Sequence, residues 1–154
     1  MSYKVIVKET QIKFSASHFL KEPSQCSKLH GHNYYVSVEL EAPLDENYVV
    51  VDFIELKEKV KSIAEPLDHH VLIPELSNDL IISKTSESIE IITNSNKRYV
   101  FPKMDVTLLP LPATTSELLA KFFHDKLKEI YPHKRITVKL GETKSSIAVY
   151  RGEM

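Results

Sequence analysis

"SKLHGHNYYVSVEL", residues 27–40, decides how this chain is read. From Tyr34 onward it is an ordinary strand, with aromatic and β-branched residues at Tyr34, Tyr35, Val36 and Val38. Its start is different: two histidines, His30 and His32, flank Gly31. In a strand, residues i and i+2 point to one face, so the two imidazoles project side by side, and glycine leaves the opposite face bare. Tracing parity backward, Ile12 and Phe14 alternate with polar neighbours, and the same alternation puts Ala16 and His18 on one face. If the strand that ends at His18 pairs antiparallel with this one across the 19–28 loop, three imidazoles meet.

The totals fit one soluble domain. The chain has 154 residues, 42% hydrophobic and 27% charged, which is long enough to bury a core. A formal net charge of −1 argues against broad attraction to nucleic acid or anionic membrane. No apolar run reaches the ~18 residues that a membrane span needs. The opening "MSYKVIVKET" reads as a strand and not as a secretion signal. A single cysteine, Cys26, rules out an internal disulfide and makes a reducing cytoplasm the expected location.

Outward from the opening stretch, the period changes at Phe53. Phe53, Leu56, Val60, Ile63 and Leu67 fall at helical spacing, with Asp52 and Glu55 placed as a capping box and Pro66 as the stop. "SIEIIT", the turn "NSNK" and "RYVF" predict a hairpin, and "DVTLL" a further strand, within an added β region over about 75–112. A second helix follows "TTSELLAKFFHDKLKEI". Thr114 and Glu117 are its expected capping box, and Leu118, Leu119, Phe122 and Ile130 its core face. "RITVKL" and "SIAVYR" close the chain as an antiparallel pair. The sum is α+β with a mainly antiparallel sheet.

Three neutral imidazoles around one vacant position is the donor set of a catalytic zinc site, since structural sites usually fill all four places. Iron, nickel and copper also accept imidazole. The plain alternative is three unrelated strand-end histidines in a chain that has seven.

The blocks "FSASHFL", "CSKLHGHNY", "VVVDFIELK", "PLDHHVL", "TTSELLAKF" and "GETKSSIAVYRGE" occur in this order. Together they resemble the 6-pyruvoyl-tetrahydropterin synthase / 6-carboxy-tetrahydropterin synthase family over nearly the whole chain outside residues 73–113. The resemblance implies a single tunnelling-fold (T-fold) domain over 1–154, an antiparallel sheet with two helices packed on one face. It implies trimers whose sheets form a barrel, commonly doubled into hexamers. It also implies zinc on His18, His30 and His32, and dihydroneopterin triphosphate as the small-molecule substrate.

Residue by residue, the resemblance makes Cys26 the catalytic base and Asp68 with His69 the proton relay that assists it from a neighbouring subunit. Glu142 becomes the pterin anchor, often counted in the relay, and Thr115 and Ser116 supply pterin-contacting hydroxyls. Each residue has a plainer reading. A lone cysteine is most often a small buried apolar group, and Cys-x3-His spacing would also let Cys26 serve as a fourth zinc ligand. Asp68 and His69 read as a solvated pair at a helix end, because adjacent residues on a regular element face apart. His70 competes with His69. Glu142 fits a solvated turn, and Thr114, Thr115, Ser116 and Glu117 are accounted for by capping. Asp52 reads as a cap, and His124 and His133 as surface residues.

The short "CSKLHGH" spacing resembles the carboxy-forming branch, which yields 6-carboxy-tetrahydropterin, acetaldehyde and triphosphate as a queuosine or archaeosine precursor step. The pyruvoyl-forming branch, which eliminates triphosphate, is the alternative. A zinc hydrolase or a non-catalytic pterin-binding protein are the readings from other classes. Two positions depart from the family pattern: Ile73 replaces the usual asparagine and Phe19 a frequent arginine. Lys28 and Arg151 are the candidate triphosphate cations.

Overall fold

The computed structural model describes residues 1–8 and 12–153. The chain forms two compact units: residues 1–14, 33–66 and 116–154 make the first, and residues 15–32 and 67–115 the second.

In the first unit, β1 (Tyr3–Val7) lies antiparallel to β3 (His30–Ala42), with Tyr3 opposite Ala42 and Val7 opposite Val38. On the other side β3 pairs antiparallel with β9 (Arg135–Gly141), which pairs with the edge strand β10 (Ile147–Arg151). Tyr34, Val36, Val38 and Leu40 of β3 are fully buried, as the alternation predicts. Helix α1 (Phe53–Ala64) starts at Asp52, whose carboxylate accepts the Ile54 N–H at 2.7 Å. Glu55 does not close a capping box; instead it accepts a hydrogen bond from the Tyr131 hydroxyl at 3.2 Å. Pro66 falls in the 3₁₀ turn that ends the helix. Helix α2 (Ser116–Ile130) packs over β9 and β10. Its core face is Leu119, Ala120, Phe123, His124 and Leu127, one step round from the expected one. Leu118 and Phe122 are only partly covered, and Ile130 is 40% exposed. His124, expected on the surface, is buried against Tyr150 with ring centroids 4.8 Å apart.

The second unit holds the end of β2 (Lys13–His18) beside the start of β3, and β2 is buried at Phe14, Ala16 and His18. The sequence reading does not anticipate its two parallel pairings. β4 (His70–Pro74) runs parallel to β2, with Ala16 opposite His70, and β8 (Val106–Leu109) runs parallel to β4. Between β4 and β8 the chain makes a separate antiparallel sheet, β5 (Leu80–Lys84), β6 (Ser88–Thr93) and β7 (Arg98–Pro102). Ile89 and Ile91 of β6 pack with Phe19 and Ile73 into one apolar cluster, joined by Val71, Leu80, Ile82, Tyr99, Phe101, Val106 and Leu108. Phe19 and Ile73 therefore share a single environment. Both sit against the β5–β7 sheet, where an amide or a guanidinium head would be dehydrated.

Candidate metal and proton-transfer site

His18, His30 and His32 converge. Their ring centroids lie 4.7 Å apart for His18–His30, 5.2 Å for His18–His32 and 4.9 Å for His30–His32, with the planes steeply inclined in each pair. One nitrogen from each ring falls within 4.8 Å of the others. Tetrahedral zinc with nitrogens at ~2.0–2.1 Å places them roughly 3.4 Å apart, a modest contraction from this arrangement.

The protonation states fit a cation. His18 Nδ1 lies 2.9 Å from the Thr114 carbonyl and His30 Nδ1 lies 2.6 Å from the Lys28 carbonyl. A carbonyl only accepts, so each Nδ1 carries a hydrogen, and in the neutral ring Nε2 is then the nitrogen with the lone pair. Burial, the largest effect, holds the His18 pKa down at about 4, reinforced by the charges of His30 and His32 and opposed by the Thr114 carbonyl. At neutral pH His18 is uncharged, the state in which an imidazole can hold a metal ion. His32 Nε2 is shut off from solvent. Gly31 has a reason to be glycine: a Cβ there would stand 3.2 Å from the Ala16 carbonyl oxygen, two residues before His18. Bulk at position 31 would push β2 away and spread the rings.

Thr114 is the residue that the sequence reading misassigns. It does not cap α2, which begins at Ser116. It is fully buried, with its carbonyl at His18 and its hydroxyl 3.3 Å from the same Nδ1. No local pattern reports a backbone carbonyl aimed at a side chain 96 residues away.

Asp68 and His69 meet despite being neighbours. His69 adopts φ 60°, a left-handed conformation that folds its ring back, and its Nδ1 lies 3.0 Å from Asp68 Oδ2. The Ser15 N–H donates to Asp68 Oδ1 at 2.9 Å, and the His69 N–H donates to the Ser15 carbonyl. The Ser15 hydrogen bond is the main cause that holds the Asp68 carboxyl below the usual carboxylate range, with His69 adding to it. An ionised Asp68 fixes the Nδ1–H tautomer of His69 and leaves Nε2 on an exposed ring as a proton acceptor. His70 is turned elsewhere, its Nδ1 2.7 Å from the Asp68 carbonyl.

Cys26 is exposed in a 3₁₀ turn, Gln25–Ser27. Thr115 sits just before α2 and Ser116 is its first residue; both are partly buried. Glu142 belongs to the first unit, at the start of the β9–β10 turn. Its charge adds to the burial that raises the Tyr34 phenol pKa. Lys28 is exposed, and Arg151 in β10 donates from Nε to Thr137 Oγ1 at 3.2 Å.

Known proteins resemble this chain over nearly its full length. A profile of the 6-pyruvoyl tetrahydropterin synthase family matches residues 6–153. The 6-carboxy-5,6,7,8-tetrahydropterin synthase of Aquifex aeolicus is 32% identical over 141 residues, covering 86% of this chain and 80% of that one. The enzyme of the same name from Haemophilus influenzae is 28% identical over 148 residues, covering 92% and 95%. The crystal structure of 6-pyruvoyl tetrahydropterin synthase from Plasmodium vivax superposes with a TM-score of 0.91 at 27% identity, covering 100% of this chain and 99% of that one. With its two helices, curled mainly antiparallel sheet and histidine cluster, this T-fold chain belongs to the 6-pyruvoyl tetrahydropterin synthase family.

Proposed function

We propose that the protein is a zinc-dependent lyase, a 6-carboxy-tetrahydropterin synthase that converts 7,8-dihydroneopterin triphosphate and water to 6-carboxy-tetrahydropterin, acetaldehyde and triphosphate. The observation that carries this is the convergence of His18, His30 and His32 in a member of this family. These three residues hold the zinc, which when bound supplies a Lewis acid for the hydroxyl oxygens of the substrate side chain. Cys26, as thiolate, takes the proton from the side-chain carbon next to the ring, and the ring accepts the electrons, so no nicotinamide or flavin enters. Asp68 keeps His69 in the tautomer whose Nε2 takes up and returns that proton. Glu142 accepts paired hydrogen bonds from the pterin N3–H and 2-amino group, with Thr115 and Ser116 supplying further polar contacts.

The carboxy-forming branch is favoured by the short Cys26–His30 spacing and by the names of the Aquifex and Haemophilus relatives. The second reading, a 6-pyruvoyl-tetrahydropterin synthase, draws on the Plasmodium structure. The queuosine precursor role follows from the first. We read the chain as one T-fold domain with an added sheet over about 75–112, acting in the cytoplasm, where its single thiol stays reduced. Among the described residues no helix is long and apolar enough to cross a membrane. A trimer, doubled to a hexamer, would cover the edge strand β10, where Ile147 and Val149 are 50% and 59% exposed.

The test is a product assay with metal analysis on wild type and Cys26→Ala. Wild type should contain about one zinc per chain and release acetaldehyde and 6-carboxy-tetrahydropterin in equal amounts. Cys26→Ala should keep the zinc and lose turnover. Pyruvoyl-pterin without acetaldehyde would overturn the branch, and a Cys26→Ala enzyme with most of its activity would point to hydrolysis instead.

A further inference from the structure

The loop that carries Cys26 is held from outside by the added sheet. Its own closure is a Leu20 N–H bond to the Cys26 carbonyl at 2.8 Å, together with the turn bonds Ser27 N–H to Ser24 O and Lys28 N–H to Gln25 O. These shape the loop, but they do not fix where it sits. A cavity of about 90 Å³ lies between loop residues Phe19, Leu20, Glu22 and Ser27 and the sheet residues Leu80 and Thr93, so packing is incomplete on this side of the loop. The sheet reaches the loop at three places. Phe19, next to His18, stacks on Tyr99 of β7 with centroids 4.8 Å apart and planes 14° from parallel. The Glu22 carboxyl is held below its usual range chiefly by the side chains of Ser95 in the β6–β7 turn and Thr93 at the end of β6. Lys97, at the end of that turn, donates from Nζ to the carbonyl of Ser27, the residue after Cys26, at 3.1 Å.

The turn is built to hold that lysine. Asn96 takes φ 65°, the Thr93 N–H donates to the Lys97 carbonyl at 2.9 Å, and the Lys97 N–H donates to Thr93 Oγ1 at 3.2 Å. The Lys97 ammonium also lies 5.7 Å from the Tyr99 ring centre, above the ring that braces Phe19. One side chain thus ties the residue beside Cys26 to the stack beside His18.

We infer that Lys97 is a positioning residue that sets the Cys26 thiol relative to the substrate carbon through its bond to the Ser27 carbonyl. The inference rests on the catalytic role proposed above for Cys26. Proton transfer falls steeply as donor and acceptor move apart, and displacement by about an ångström costs up to ~100-fold in rate.

The experiment compares wild type with Lys97→Met, which keeps the apolar stem over Tyr99 and loses the donor, and with Lys97→Arg, which keeps a donor. Turnover of dihydroneopterin triphosphate is measured with and without deuterium at the side-chain carbon next to the ring. Lys97→Met should lower kcat about tenfold with KM and zinc content unchanged, and deuterium should slow it at least as much as it slows wild type. Lys97→Arg should recover most of the lost kcat. A Lys97→Met kcat within about twofold of wild type overturns the positioning role, even if the melting temperature falls. A raised KM with unchanged kcat overturns it in favour of direct substrate binding. A wild-type enzyme with no turnover overturns the reading of Cys26, and the positioning role falls with it. An active wild type beside an equally active Lys97→Met leaves the reading of Cys26 standing and removes the positioning role alone.

Discussion

Replacing Ile73 by asparagine places an amide in an apolar cluster and tests what the β5–β7 sheet demands of that position. Ile73 is fully buried in β4, in the cluster with Phe19, Ile89 and Ile91. Burial of an isoleucine side chain contributes ~1.5–3 kcal/mol, and that contribution is lost. The amide would then be surrounded by Phe19, Ile89, Ile91 and the partly buried Leu80 and Leu108, and leaving such a group unsatisfied costs ~1–3 kcal/mol. The sum is about 4 kcal/mol, a large part of the ~5–15 kcal/mol that holds a domain together. In a urea titration with a slope of ~2 kcal/mol/M, the midpoint of Ile73→Asn should fall by about 2 M at unchanged slope. Ile73→Val, which keeps the cluster apolar, should cost only ~1 kcal/mol. The zinc content of the folded variant should equal that of wild type, because Ile73 is neither one of the converging histidines nor one of the carbonyl partners of His18 and His30, Thr114 and Lys28. A midpoint shift under ~0.5 M for the asparagine variant would refute the idea that the β5–β7 sheet is what makes position 73 apolar.

Two further outcomes follow from the geometry. Gly31→Val should weaken zinc binding at least about tenfold in a chelator competition, because its side chain meets the Ala16 carbonyl and moves β2, and ligand sets tolerate only ~0.5 Å of displacement; unchanged affinity would show that β2 yields without disturbing His18. Glu39 is nearly buried between Lys139 and Lys4 at 2.8 and 3.1 Å, and those bonds, Lys139 first, lower its pKa from the ordinary 4.5. A depressed carboxyl contributes stability that is present above its unfolded pKa and lost as pH falls through the folded value, so Glu39→Gln should cost ~2 kcal/mol near neutrality and progressively less below pH 4.5. An equal cost at both ends of a pH series of denaturation curves would contradict this.

What the sequence disclosed was whatever a local period can encode. His18, His30 and His32 were legible because a strand repeats every two residues, so parity alone places three side chains on one side of two strands. The fold class was legible for the same reason, from alternation in β1, β3, β9 and β10 and helical spacing in α1 and α2. The parallel pairing of β4 with β2 and β8 was not, because "HVLIP" is a short run whose partners lie more than 30 residues away on either side. Asp68 and His69 looked unable to meet because regular backbone was assumed, whereas His69 is in the left-handed region. His124 was judged by residue type. Its position, four residues after Ala120 and three before Leu127, puts it on the buried stripe of α2.

The β5–β7 sheet and the apolar residues at positions 19 and 73 are best understood together. Each face of β6 reads differently: Ile89, Ile91 and Thr93 are buried while Ser88, Glu90 and Ile92 are half-buried, so one face must find apolar partners. Phe19 and Ile73 are those partners. A polar side chain at 19 or 73 would be buried among apolar groups under this sheet, so both positions must be apolar. The β6–β7 turn is where the sheet offers polar groups back, through Ser95, Thr93 and Lys97, and all three engage the 19–27 loop. Covering the cluster and bracing the cysteine loop are then two faces of one sheet: its apolar side dictates Phe19 and Ile73, and its polar turn takes hold of the loop that begins at Phe19.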